Sequence, residues 1–151
     1  MNTPYHYTEC GLDNVLVYGI APCIDDDGDE VITIPNINGL HKAIALTIIA
    51  REALMSGKEL RFLRTEMGMT QAELARCVHK EAISVGRWER NETPIDPNAE
   101  TLVRLMAQEK LELSLNVSVE ELSGYSVQTA NVPPIEIDGI DPDNYHQRVA
   151  A

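Results

Sequence analysis

The sequence predicts an α+β protein, mainly helical with a small β segment at its N-terminus. β-Type runs gather in the first 38 residues, and from about residue 39 the apolar spacing changes to that of helices. From residue 56 to 110, helix-start and helix-stop residues punctuate that spacing at regular places. A length of 151 residues suits one ordinary domain or two small lobes.

Within residues 1–38 the runs Asn14 to Tyr18 and Glu30 to Ile34 alternate in part, with Gly19 and the turn-rich stretch Asp25 to Asp29 between them. They predict a hairpin or a three-stranded meander. The acidic turn does not fit a calcium loop, because counting back from Gly28 puts the first ligand position on Cys23 and the terminal glutamate position on Ile34. A solvated turn is expected there.

Residues 39–55 form the next unit. Leu40, Ala43, Ile44, Thr47, Ile48, Arg51, Leu54 and Met55 share one helical stripe, predicting a helix over 40–55 with Asn36 or Asn38 as its cap. Its apolar stripe needs a partner, either the neighbouring segments or a second copy of the chain. Beyond Leu111 the chain is acidic and weakly periodic. A short helix over 117–122 and an extended tail with one strand near Ile135 to Gly139 are expected, with Pro133-Pro134 and Pro142 as breakers. Residues 111–151 are thus read as an acidic extension.

Three cysteines, Cys10, Cys23 and Cys77, form no CxxC pair, and an odd number does not suit a secreted disulfide framework. A zinc site from Cys10, Cys23, His6 and His41 lacks paired-ligand spacing, so no metal and no cofactor is expected. The longest apolar stretch, Ala43 to Ala50, falls short of the roughly 20 residues that cross a bilayer, and the first residues lack a basic and then apolar leader pattern. A cytoplasmic protein without membrane contact is expected. No Gly-rich phosphate loop, HExxH, GxSxG or plausible Cys/His pair is found, so an enzyme is not expected.

The net charge of −12 would repel nucleic acid if it were evenly spread. It is not. Residues 1–55 carry two basic and eight acidic side chains, and residues 111–151 carry one and seven, so each flank sums to −6. Residues 56–110 hold the other nine Lys/Arg against nine Asp/Glu. The phosphate-binding capacity therefore sits in the centre.

That centre also has the clearest helix signals. Ser56 with Glu59 forms a capping-box pattern opening a helix with Leu60, Leu63 and Met67 inside, stopped by Gly68. Thr70 with Glu73 repeats the pattern for a short helix, Gln71 to Cys77, with Leu74 and Val78 inside. After a turn at His79-Lys80, a third helix over 81–90 buries Val85 and Trp88 and ends at Asn91-Glu92-Thr93-Pro94. A fourth, over 98–110, is expected to face inward with Leu102, Leu105 and Met106. Two short helices joined by a tight turn and buttressed on both sides are the parts of a DNA-binding helix-turn-helix.

The residues resemble a family at this point. Met69-Thr70-Gln71-Ala72-Glu73-Leu74-Ala75, with Arg87-Trp88-Glu89-Arg90-Asn91 starting 16 residues after Gln71, is similar to the phage-repressor (lambda/Cro, XRE) class over about 55 residues. Asn91 stands where glycine is usual, and His79 replaces the usual glycine of the turn. The resemblance implies a lambda-repressor-like domain in which Gln71 bonds a phosphate through its side chain and helix N-terminus. Ala82, Ile83, Ser84 and Arg87 would meet base edges, with Arg87 on guanine and Ile83 or Ala82 on a thymine methyl. Thr70, Lys80, Arg90, Asn91 and Thr93 would hold phosphates. The alternative for Arg87 is a surface salt bridge to Glu89 or Glu92. A homodimer on a palindromic operator is expected, because one reading helix selects poorly.

The order of a small β segment, the linker Val31-Ile32-Thr33-Ile34-Pro35-Asn36-Ile37, a helix, and Gly57 to Arg64 leading into the motif is similar to MqsA-type antitoxins. Those couple a toxin-binding zinc domain to a helix-turn-helix that represses its own operon; here the paired CxxC ligands are absent and an acidic extension of about 40 residues follows. The resemblance implies an autoregulating repressor whose anionic flanks steer a basic toxin. A transcription regulator without a toxin, with flanks that dimerise or sense a ligand, and a protein-interaction adaptor without DNA affinity are the other readings.

Overall fold

The computed structural model describes residues 3–127 and 133–148. In chain order its elements are β1 (Tyr5–Tyr7), β2 (Val15–Tyr18), β3 (Cys23–Ile24), β4 (Glu30–Val31), α1 (Ile37–Ala50), α2 (Gly57–Glu66), α3 (Gln71–Cys77), α4 (Ala82–Glu89), α5 (Pro97–Lys110), α6 (Val119–Ser123), β5 (Ile135–Asp138) and β6 (His146–Gln147). The mixed α+β class expected from the sequence is found.

The flanks do not stay apart. β2 pairs antiparallel with β1 and parallel with β5, and β5 pairs antiparallel with β6, giving one sheet in the order β1-β2-β5-β6. Residues 1–38 and 111–151, read from the sequence as a separate hairpin and an extension, are therefore sewn together. The reason is the matching alternation of the two strands: Val15 and Val17 point inward from β2, and Ile135 and Ile137 do so from β5, all fully buried. The expected hairpin between 14–18 and 30–34 does not form either. β4 is only Glu30–Val31 and pairs with β3 in a separate two-stranded ribbon around the acidic turn, where Asp25 Oδ1 accepts the N–H groups of Asp27 and Asp29.

α1 is the centre of the molecule. Leu40, Ile44, Ala45, Ile48 and Ile49 are fully buried, and the helix packs on β5 and β6 on one side and on α5 and α2 on others. One continuous core runs from Tyr7 through α1 to Val103 and Ile137. The apolar stripe of α1 thus packs within the chain, while Ile37, Asn38 and Lys42 stay exposed.

The expected helix over 40–55 stops at Ala50, and a buried ion pair explains why. Arg51 turns to extended backbone (φ −83°, ψ 135°). Arg104 of α5, wholly buried, then donates to the carbonyls of Ile49 at 2.9 Å, Arg51 at 2.7 Å and Ala53 at 2.6 Å, while Nε meets Glu100 Oε1 at 2.9 Å. Glu100 also accepts the backbone N–H of Met55 at 2.7 Å and the hydroxyl of Ser126 at 2.7 Å. These bonds satisfy carbonyls at the end of α1 that would otherwise be buried without partners.

The same pair sets the roll of α5. The sequence reading puts Leu102, Leu105 and Met106 inside; Met106 does pack, partly buried, against the core, but Ala99, Glu100, Val103, Arg104 and Ala107 are the buried residues and Leu102 is 40% exposed. Apolar spacing alone favoured the larger side chains, whereas the charged pair holds the polar-looking face in the interior.

A candidate nucleic-acid interface on α3 and α4

Both capping boxes read from the sequence are realised. Ser56 and Thr70 each accept the backbone N–H of the residue three positions on, and Glu59 and Glu73 reach back to the N–H groups of the caps. The carboxyl of Glu73 lies below its usual range because it accepts from Thr70. Glu59 is completely buried and also receives Arg51, tying the segment after α1 to the start of α2.

The three helices end in the same way. Gly68, His79 and Asn91 take left-handed backbone conformations with φ of 70°, 58° and 59°. After each, a backbone N–H folds back to the carbonyl five residues earlier: Met69 to Arg64 at 3.1 Å, Lys80 to Ala75 at 2.9 Å and Glu92 to Arg87 at 2.9 Å. His79 and Asn91 thus occupy the positions where the resemblance expects glycine, and the turn closes without it. Asn91 does more, since its Oδ1 accepts the N–H of Gly57 at 2.9 Å at the start of α2. A Cβ on Gly57 would collide with the carbonyl oxygens of Trp88 and Glu89, so only glycine lets α2 begin this close to the end of α4.

α3 and α4 pack on each other, and α4 packs on α2. α4 buries Val85 and Trp88 and leaves Ala82, Ile83 and Arg87 exposed, with Ser84 partly so. Ile83 is 54% exposed, a large apolar side chain on an otherwise polar face. Arg87 has no ion pair among the described residues. Both alternative partners weighed from the sequence are occupied: Glu89 is bound by Arg64 at 2.6 and 3.0 Å, and Glu92 by Arg90 at 2.8 Å. The outer face of α4 therefore carries one free guanidinium beside an apolar side chain, the chemistry that reads a guanine edge and a thymine methyl.

The surrounding residues divide into free and engaged. Lys80 is exposed on the turn between the two helices, and Thr93 is exposed after α4 on the wall of a cleft shared with Leu54 and Trp88. Arg90 is exposed but bound to Glu92. Thr70 uses its hydroxyl oxygen as a cap. Gln71 is half-buried, not outward as expected, because its Nε2 donates to Glu89 Oε1 at 3.0 Å and braces α3 against α4. Asn91 is exposed and spends its Oδ1 on Gly57, which leaves the Nδ2 donor, the group a phosphate would need, without a partner among the described residues.

The central cations divide too. Arg104 lies in the core, Arg64 is held by Glu89 and also donates to the carbonyl of Met69 at 2.9 Å, and Lys58 meets Asp13 at 3.0 Å. Of the nine, Lys58, Arg61, Arg76, Lys80, Arg87, Arg90 and Lys110 are exposed, seven in all, and two of these, Lys58 and Arg90, are paired with carboxylates. Sequence reasoning missed Arg61 and the brace formed by Arg64 and Glu89. A basic and an acidic residue 25 apart carry no local signal of pairing.

Elsewhere the zinc set weighed from the sequence does not assemble. His41 Nδ1 lies 2.9 Å from Glu66 Oε1 and its Nε2 2.8 Å from the Tyr7 hydroxyl, and His6 Nε2 lies 2.7 Å from the carbonyl of Asp13. Burial pushes the Cys10 thiol up, away from the thiolate a metal needs. Among the described residues no three His, Cys, Asp or Glu side chains are placed to hold a metal ion, and no helix is long and apolar enough to cross a membrane. Compared with models of known protein families, with characterised proteins and with solved structures, the chain has no match.

Proposed function

We propose that the chain is a sequence-specific DNA-binding transcriptional repressor, with α3 and α4 as a helix-turn-helix of the lambda-repressor-like type and α4 as the helix that enters the major groove. The observation that carries this reading is Arg87, exposed and without an ion pair among the described residues, beside exposed Ile83 on the outer face of α4. Around it, Lys80 and Arg90 flank the face, and Gln71 keeps a second amide hydrogen for a phosphate. The segment that carries α3 and α4, residues 56–110, is neutral in sum, whereas each flank sums to −6.

A single eight-residue helix covers few base pairs, so the protein acts as a homodimer on a palindrome. Selection from a random duplex library tests this: the enriched sequence is expected to be palindromic, with half-site centres roughly 10 base pairs apart. Recovery of unenriched duplex would contradict it.

A second reading, the antitoxin of a toxin-antitoxin pair, is favoured by the β3–β4 ribbon. Asp25, Asp26, Asp27, Asp29 and Glu30 crowd its turn beside exposed Ile24, Val31 and Ile32, and no Lys or Arg precedes Lys42. Such a surface suits a basic protein. Co-purification from the native host at graded salt separates the two, since a small basic protein is retained only in the second.

A further inference from the structure

Beside the outer face of α4 lies a polar cleft of about 300 Å³ lined by Arg61, Arg64, Gln71, Gly86, Glu89 and Arg90. Three arginines line it against one carboxylate, and that carboxylate is already engaged. Glu89, its side chain 5% exposed, holds Nε and Nη2 of Arg64 and Nε2 of Gln71. Arg64 is fixed in turn, with Nη1 on the carbonyl of Met69 at 2.9 Å.

Arg61 differs from its neighbours. It is exposed on α2 and forms no hydrogen bond or ion pair among the described residues, so all its donors remain available. Arg90 uses Nε and Nη2 on Glu92, leaving Nη1 on the cleft side. Gly86 keeps the floor open: a Cβ there would stand 3.1 Å from that Nη1 and 3.6 Å from Gln71 Oε1. The lining is thus a hydrogen-bonded wall with one exposed, unpaired cation on it and a net positive charge.

We propose that this cleft is an anion site for one backbone phosphodiester of the DNA, with Arg61 as its principal cation. The contact lies on α2, outside the two helices of the motif, and no sequence signal singles it out. A guanidinium suits a phosphate because it donates in a planar fork to two oxygens. The inference rests on the DNA-binding function proposed above, and it adds a contact that fixes register without reading sequence.

The test uses the full chain and its Arg61→Gln and Arg61→Lys variants, titrated against a selected duplex and a scrambled duplex of equal length at graded sodium chloride. Neutralising one phosphate contributes a slope of about 0.9 in log K against log salt, equivalent to roughly eightfold at 0.1 M. Arg61→Gln is expected to lose that factor per subunit on both duplexes, with a correspondingly shallower slope and an unchanged melting temperature. Arg61→Lys is expected to recover the slope. If the wild type binds but Arg61→Gln keeps the full slope, this contact is wrong and the DNA-binding reading stands. If the wild type binds neither duplex at low salt, that reading fails and the contact with it.

Discussion

Replacing Arg104 by methionine is expected to destabilise the protein by about 3–5 kcal/mol, the loss seen when one partner of a buried ion pair is removed. Arg104 and Glu100 are both wholly buried, so the substitution leaves a carboxylate in the core without its counter-charge. It also removes donors from the carbonyls of Ile49, Arg51 and Ala53, at the point where α1 hands over to the segment leading into α2. Against a total stability on the order of 5–15 kcal/mol for a domain, that is a large share. Urea unfolding checks it, through a fall in the midpoint with the slope unchanged. The double variant R104M/E100Q is expected to recover part of the loss, because the orphaned charge is gone while the amide still meets Met55 and Ser126. A single variant with wild-type stability would show that the pair does not organise the junction.

Replacing Arg87 by alanine is expected to cost about 1–3 kcal/mol of discrimination, roughly 5- to 150-fold, on the selected operator. The side chain is exposed and contacts no carboxylate, so folding should change by no more than about 0.5 kcal/mol. What distinguishes base reading from a phosphate contact is the pattern across duplexes. Loss confined to the operator, and relaxed preference at one base pair of each half-site, is the expected result of titrating the variant against single-base operator changes. An equal loss on all duplexes would make Arg87 a backbone anchor, and no loss on any would fit the adaptor reading.

The motif was legible in the sequence because its signals are local. Capping boxes at Ser56/Glu59 and Thr70/Glu73 and stops at Gly68 and Asn91 lie within a few residues of the helix ends they fix. Helix α3 falls where the sequence puts it, and α4 within a residue at each end. The sheet was not legible. Its central pairing joins Val15 to Ile135 across the whole helical region, and each strand is only four residues long, too short for alternation to announce a distant partner. The roll of α5 was missed for a related reason: Glu100 and Arg104 are held inside by their bonds to carbonyls and N–H groups around the end of α1, a contact between distant segments that helical spacing does not reveal. At the site, exposure of Ala82, Ile83 and Arg87 follows from helical spacing against Val85 and Trp88. The half-burial of Gln71 follows from Glu89, a contact between helices that spacing does not reveal.

Mapping the surface that DNA touches tests the central claim most directly. Backbone amide resonances of the full chain, followed by nuclear magnetic resonance during titration with a selected duplex, are expected to shift over residues 70–93 and at Arg61, while β3 and β4 keep their positions. Shifts concentrated in the sheet or the β3–β4 ribbon, with α4 unmoved, would contradict the account.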